Sequence, residues 1–271
     1  MSEKANDKAH AKRAALERIL RGYGQVIVAY SGGVDSTFLA VAAHRVLAES
    51  SLAVTAESPS LAPDELKEAC ELAKRFGFAH QVVRTDEMED PKYQANTRDR
   101  CYFCKSALME RLKDLAEKRG AKVALGANVD DLGDHRPGER AARERGAVFP
   151  LREADLTKAD IRALSAAWGL PTADKPAAAC LASRIPFGDS VTAGKLKQVA
   201  EAETLLHKAG FRECRIRHHG PVARLEIPPE RFGDVLAARE TLIPALKKCG
   251  FVFIALDLQG LRSGSMHEAV Q

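Results

Sequence analysis

Gln25-Val-Ile-Val-Ala-Tyr30-Ser31-Gly-Gly-Val-Asp-Ser36 is the stretch that decides the fold. Its first half, Gln25 to Tyr30, is a short apolar run of the kind a buried parallel strand requires. Its second half, Ser31-Gly32-Gly33-Val-Asp35-Ser36, leaves that strand and opens a helix expected over 35–49. Two glycines let the backbone turn tightly and expose successive N–H groups. Those groups, the Ser31 and Ser36 hydroxyls and the positive end of the helix are able to surround a pyrophosphate. The string is not a Walker loop, which needs Gly-x-x-x-x-Gly-Lys, nor a dinucleotide fingerprint, which needs a third glycine. Taken alone, Gly-Gly after a strand also fits an ordinary turn capped by Asp35 or Ser36.

Working outward, residues 5–21 read as an amphipathic helix, and 52–56, 80–84 and 122–126 as further strands. Helices are expected over 63–76, 104–119, about 138–145 and 157–168, followed by a loop from Leu170 to Asp189. Helix 63–76 carries both boundary signals, Pro63 at its start and Gly77 at its stop. Strands alternating with helices specify an α/β fold, a doubly wound parallel sheet covered on both faces. The last third changes pattern. A helix over 192–209, strands 214–218 and 222–227 joined by Gly220-Pro221, a helix over 229–248 and a strand 251–256 describe a small C-terminal α+β domain. The boundary is placed at Phe187, giving domains 1–186 and 187–271.

The 271 residues are 45% hydrophobic and 29% charged, enough for a sizeable core and a solvated surface. Net charge is +4, from 41 basic and 37 acidic residues, too small an excess for a nucleic-acid coat. No apolar run reaches 18 residues, so no membrane span is expected. The polar start, Met1 to Arg21, has no apolar signal region, and a reducing cytoplasm is the expected compartment. There the six cysteines read as core thiols, metal ligands or catalysts rather than disulfides.

Further strings narrow the function: Asn96-Thr-Arg-Asp-Arg-Cys-Tyr-Phe-Cys-Lys105, Gly126-Ala-Asn-Val-Asp-Asp131, Asp134-His-Arg-Pro-Gly138 and Asp174-Lys-Pro-Ala-Ala-Ala-Cys-Leu-Ala-Ser-Arg-Ile-Pro-Phe-Gly188. The phosphate loop resembles that of the PP-loop ATP pyrophosphatases, whose fold is HUP-like. With the other strings, from about Tyr30 to Glu226, the chain resembles the LarE family of ATP-dependent sulfur transferases. That resemblance implies adenylation of the carboxylates of pyridinium-3,5-biscarboxylic acid mononucleotide, with ATP and Mg2+, and replacement of AMP by sulfur. The order is chemically required. A carboxylate is a poor electrophile, and a mixed anhydride with AMP gives it a leaving group. Mg2+ offsets the triphosphate charge. Ser31, Gly32, Gly33, Asp35, Ser36, Asn128 and Asp131 are the implied ATP-binding residues, and Asp134 is a further short-loop acid beside them.

Cys101 and Cys104 form a Cys-x-x-Cys pair, and Cys180 stands alone in the Ala-rich loop. By itself the pair is also half a zinc site, with His135 a conceivable fourth ligand, or a redox pair. The resemblance implies that the three hold a 4Fe-4S cluster that delivers sulfur from sulfide or a sulfur-donor system. In another branch of the family the cysteine matching Cys180 acts alone and gives up its own sulfur. Cys70, Cys214 and Cys249 have no partner pattern. Arg215 and Arg217 share one face of a strand by period-2 spacing, and the resemblance implies that with Arg184 they clamp the substrate phosphate. It also implies a divalent metal at Glu203, Glu226 and Asp234, and a homo-oligomer, a hexamer built from trimers. His218 and His219 face opposite ways on a strand and make a poor metal pair. Alternative readings are a tRNA thiolase, which would favour a larger basic excess, an NAD-synthetase-like amide synthase, and a metal-binding regulator that binds nucleotide without releasing pyrophosphate.

Overall fold

The computed structural model describes residues 3–132, 136–176, 179–262 and 265, with side chains from residue 8. Its contacts divide the chain into two compact units. One comprises Met1–Ser58, Pro63–Glu87 and Cys101–Ala178; the other comprises Pro59–Ala62, Met88–Arg100 and Ala179–Gln271.

The first unit contains α1 (Glu3–Tyr23), β1 (Val26–Ala29), α2 (Val34–Leu47), β2 (Ser51–Glu57), α3 (Pro63–Phe76) and β3 (His80–Arg84). The short α4 (Pro91–Gln94) belongs to the second unit, and α5 (Arg100–Arg119) leads back to β4 (Lys122–Leu125). Then come α6 (Pro137–Glu144), α7 (Pro150–Glu153) and α8 (Lys158–Ala167). The four strands form an all-parallel sheet in the order β3-β2-β1-β4. β1 alternates as a doubly covered strand must. Val26 and Val28 pack with Leu16, Leu20, Phe38, Ile161 and Leu164 on one face. Ile27 packs with Leu52, Val54, Met109, Leu112 and Val123 on the other.

The strand order fixes where a ligand binds. From β1 the chain steps outward to β2 and β3, then returns through α5 and sets β4 on the opposite side of β1. The order reverses between β1 and β4, and the crevice of such a sheet opens at the carboxyl ends of those two strands. Ser31–Ser36 leaves β1 there, and Gly126–Asp131 leaves β4 there.

The second unit contains α9 (Ala193–Lys208), β5 (Arg215–His219), β6 (Val222–Glu226), α10 (Phe232–Ala237), α11 (Arg239–Lys248) and β7 (Phe253–Leu256). β5 and β6 are antiparallel across the Gly220-Pro221 turn, and β7 joins β6 in parallel. Leu206, Phe211, Ile216, Leu225, Leu246 and Phe251 form its core.

Three expectations shift. The helix expected from residue 104 starts at Arg100, so Cys101 and Cys104 occupy its first turn. The single helix expected over 229–248 is a 3-10 turn followed by α10 and α11, broken at Ala238, whose N–H closes α10 onto the Asp234 carbonyl. The loop after Leu170 contains a 3-10 turn at Leu181–Arg184.

Candidate active site

Ser31–Ser36 folds back on itself through its serines. The Ser31 N–H donates to Ser36 Oγ (3.1 Å), the two hydroxyls lie 3.0 Å apart, and Ser36 Oγ donates to the Gly33 carbonyl (3.2 Å). Gly32 is needed twice. Its φ is +71°, and a Cβ there would meet the Ala69 Cβ of α3 at 3.2 Å. Gly33 is the N-cap of α2 and brings no side chain to it, so the first N–H groups of α2 have no side-chain cap there. A 14-residue helix with an uncapped N-terminus beside two hydroxyls has the donors and the dipole that an anion requires.

The exit from β4 forms the facing wall. A Cβ on Gly126 would lie 3.0 Å from the Ser36 nitrogen and 3.1 Å from the Asp35 carbonyl carbon, so only glycine lets the two backbones approach this closely. Asn128 Nδ2 donates to Asp35 Oδ1 (3.3 Å), and the Asn128 N–H donates to Asp131 Oδ2 (2.9 Å). Asp131 also pairs with Arg136 at 2.7 Å. Asp35, Asn128 and Asp131 are thus linked through Asn128. Gly133, Asp134 and His135 lie outside the described residues.

Two lysines that no spacing pointed to join the site. Lys158, at the start of α8, donates from Nζ to Asp35 Oδ2 (2.5 Å), and its N–H donates to Asp130 Oδ2 (2.6 Å). Lys175 donates to the Gly32 carbonyl (3.3 Å), Glu65 (2.8 Å) and Glu68 (2.9 Å). Burial opposes its charge, but the bonds to Glu65 and Glu68 outweigh burial and raise its pKa. Behind them, Arg152 grips Glu139 with two bonds (2.7 and 2.9 Å) and holds that carboxyl below its usual range. These partners are 13 to 143 residues apart, which is why local sequence carried no signal of them.

In the second unit Asn96 and Arg100 join two of the strings singled out in the sequence. Asn96, fully buried, donates to the carbonyls of Ile185 (3.2 Å), Pro186 (2.7 Å) and Asp189 (2.9 Å). Arg100 donates to Asn96 Oδ1 and to the Ala182 carbonyl (2.9 Å). Arg184, Arg215 and Arg217 are close enough that Arg215 feels both other charges. Burial first, then Arg217 and Arg184, lower its pKa. Arg184 is spent on Glu203 through two bonds (2.9 and 3.1 Å) and on the Ala179 and Cys180 carbonyls. Arg217 is spent on Glu226 (2.7 Å), Ser265 (2.8 Å) and the Ser183 carbonyl (3.0 Å). Arg215 makes a bond to the Arg262 carbonyl (3.0 Å) and has no ion pair among the described residues.

The carboxylates expected to bind a divalent metal have these other partners. Glu203 also accepts from the Ile216 N–H (2.9 Å), Glu226 is shared by Arg217, Arg224 and Ser265, and Asp234 pairs with Arg231. Among the described residues no three His, Cys, Asp or Glu side chains are grouped to hold a metal ion.

None of the six cysteines is in a disulfide. Cys101 and Cys104 sit one turn apart on α5, Cys101 exposed and Cys104 half-buried. Cys180 is exposed and precedes the Leu181–Arg184 turn. Three unbridged thiols of this kind are the donor chemistry of an iron–sulfur cluster. Cys214, by contrast, is buried and its thiol is pushed up to about 12, an inert core group. Trp168 stacks on Phe38 at 4.8 Å, as packing.

Comparison with known proteins adds independent evidence. The asparagine synthase family model matches residues 10–131, a span that contains the phosphate loop. An uncharacterized protein of Synechocystis is 42% identical over 261 residues, covering 94% of this chain and 97% of its own length. The pyridinium-3,5-bisthiocarboxylic acid mononucleotide synthase of Lactiplantibacillus plantarum is 36% identical over 261 residues, covering 96% and 95%. An uncharacterized protein of Methanocaldococcus jannaschii is 29% identical over 240 residues, covering 88% and 91%. Near-complete coverage at that identity, with the phosphate loop in place, shows that the chain belongs to the LarE family of PP-loop, ATP-dependent sulfur-transferring enzymes.

Proposed function

We propose that this enzyme adenylates the carboxylates of pyridinium-3,5-biscarboxylic acid mononucleotide and converts them to thiocarboxylates. The observation that carries the reading is the Ser31–Ser36 loop, an uncapped helix N-terminus pressed against the β4 exit by Gly126. The substrate carboxylate attacks the α-phosphorus of ATP, the bond to the β-phosphate oxygen breaks, and pyrophosphate leaves into the loop. A sulfur nucleophile then adds to the acyl carbon and AMP departs with the C–O electron pair. Ser31, Gly32, Gly33 and Ser36 donate to the leaving pyrophosphate, while Asp35, Asn128 and Asp131 face the Mg2+-bound triphosphate. Arg215, with Arg184 and Arg217 behind it, takes the substrate phosphate. Its lack of an ion pair among the described residues supports that role.

For sulfur, the reading assigns Cys101, Cys104 and Cys180 as ligands of a 4Fe-4S cluster. Held by these three thiolates, a cluster would have one iron without a protein ligand and would supply an exchangeable position for sulfide. The Cys-x-x-Cys pair at 101 and 104 and the third unbridged thiol at Cys180 support this reading. The enzyme is further assigned to the cytoplasm, as a homo-oligomer of hexameric type, with sulfide or a sulfur-donor system as its supply.

The test is anaerobic purification with iron and sulfide analysis of the wild type and of the three single Cys→Ala variants. Each variant is expected to lose iron and thiolation while retaining AMP transfer, because the phosphate loop is separate. A variant lacking both Cys101 and Cys104 that still thiolates once, with Cys180 losing one sulfur and two hydrogens by mass, would replace the cluster with sacrificial donation.

A further inference from the structure

A phosphate site works by presenting donors and turning acceptors away. In the Ser31–Ser36 loop the carbonyl of the left-handed Gly32 (φ +71°) is an acceptor, and this oxygen is where the loop's polarity is wrong for an anion. Lys175 reaches that oxygen at 3.3 Å. The lysine is itself held by Glu65 and Glu68, three residues apart on one face of α3, at 2.8 and 2.9 Å. Its backbone is also fixed: Arg162 donates to the Ala173 carbonyl (2.5 Å) and the Lys175 carbonyl (3.1 Å). The Lys175 side chain is only 14% exposed. Three acceptors, two of them carboxylates, make it a poor candidate for leaving to meet a nucleotide. Lys158, with a 34% exposed side chain and Asp35 as its partner, differs in this respect.

We infer that Lys175 is a positioning residue of the phosphate loop: by holding the Gly32 carbonyl on an ammonium anchored to α3 it keeps the loop's N–H groups turned toward the triphosphate. The inference rests on the ATP-binding reading above. Glu65 and Glu68 serve to hold the ammonium in place, and the Ala69 contact at Gly32 sets how closely the loop approaches α3.

The experiment is calorimetric titration of Mg·ATP and, separately, AMP into wild type, Lys175→Met and Lys175→Met/Glu65→Gln/Glu68→Gln, with melting curves for each. Loss of a charge-assisted bond that orders the loop should weaken Mg·ATP about 10- to 100-fold in Lys175→Met, with AMP changed by less than about 2-fold. The triple variant, which removes the excess negative charge, should stay as weak. An unchanged Mg·ATP affinity in Lys175→Met overturns the inference, and so does full recovery in the triple variant, which would reduce Lys175 to charge balance. If Lys175→Met does not fold, Glu65→Gln/Glu68→Gln carries the test. There the freed ammonium should hold the loop less well and weaken Mg·ATP; equal or tighter binding would refute positioning. A wild type that binds no Mg·ATP fails the ATP reading instead.

Discussion

Adding one methyl group at Gly126 probes the site more cleanly than deleting a loop residue. Gly126 does not have positive φ, so Gly126→Ala imposes no left-handed backbone strain. What it imposes is a Cβ at 3.0 Å from the Ser36 nitrogen, 3.1 Å from the Asp35 carbonyl carbon and 3.2 Å from the Ser36 Cα. Comfortable carbon contacts lie at about 3.5–4.0 Å, so the start of α2 must recede by about half an ångström. These neighbours are backbone atoms and cannot rotate away. Overpacking of this kind costs about 1–3 kcal/mol. If the loop yields, its N–H groups lose their distances to phosphate oxygens, and the same energy appears as an Mg·ATP dissociation constant raised about 5- to 150-fold. Calorimetry with Mg·ATP, alongside a melting curve, reads both possibilities. The expected result is weakened ATP with a melting temperature lowered by no more than about 12 °C, at about 2–4 °C per kcal/mol for a unit of this size. An Mg·ATP affinity within about 2-fold of wild type would refute the placement of the triphosphate between the β1 and β4 exits.

Other perturbations separate the parts of the account. Asp35→Ala and Ser36→Ala should each abolish pyrophosphate release with ATP and the pyridinium substrate; wild-type release from either would remove the loop from the mechanism. Arg215→Ala should weaken the nucleotide substrate by about 1.5–3 kcal/mol while sparing ATP, and equal loss of both ligands in binding assays counts against a phosphate clamp. Arg217→Ala adds a stability defect of about 3–5 kcal/mol, because it strips a buried partner from the fully buried Glu226, and denaturant melts should show it. The depressed pKa of Glu139, caused first by its bond to Arg152, makes its contribution to stability complete above the ordinary carboxylate range. That contribution is lost as pH falls through the folded value. The stability gap between wild type and Glu139→Gln should therefore narrow from about pH 6 to about pH 3; a constant gap would mean the pair contributes nothing.

Parts of the molecule with local signals were legible in the sequence, and parts built by long-range contact were not. The apolar run before Ser31 gave β1, and Pro63 with Gly77 framed α3 at Pro63–Phe76. The four parallel strands followed from alternation of strands and helices. The start of α5 was set too late because Arg100 enters the helix through tertiary bonds to Asn96 and Ala182, not through a helix-start signal. Lys158, Lys175 and Arg152 were invisible for the same reason: a lysine 123 residues from Asp35 leaves no spacing to read. Glu203 and Glu226 were implied as metal ligands by the family resemblance alone, because an isolated acidic residue carries no mark of its partner. In the structure Glu203 pairs with Arg184 and Glu226 with Arg217 and Arg224, and the strand register that places Arg217 opposite Arg224 and beside Glu226 emerges only on folding.

The central claim is that one enzyme couples cleavage of ATP at the α-phosphate to sulfur insertion at a pyridinium carboxylate. The direct measurement is anaerobic incubation of the purified enzyme with Mg·ATP, a sulfide source and pyridinium-3,5-biscarboxylic acid mononucleotide, with pyrophosphate quantified and the nucleotide product weighed by mass spectrometry. The account predicts one pyrophosphate and one AMP for each carboxylate oxygen replaced by sulfur. Pyrophosphate release that is independent of the pyridinium nucleotide, or a product whose mass gains no sulfur, would contradict it.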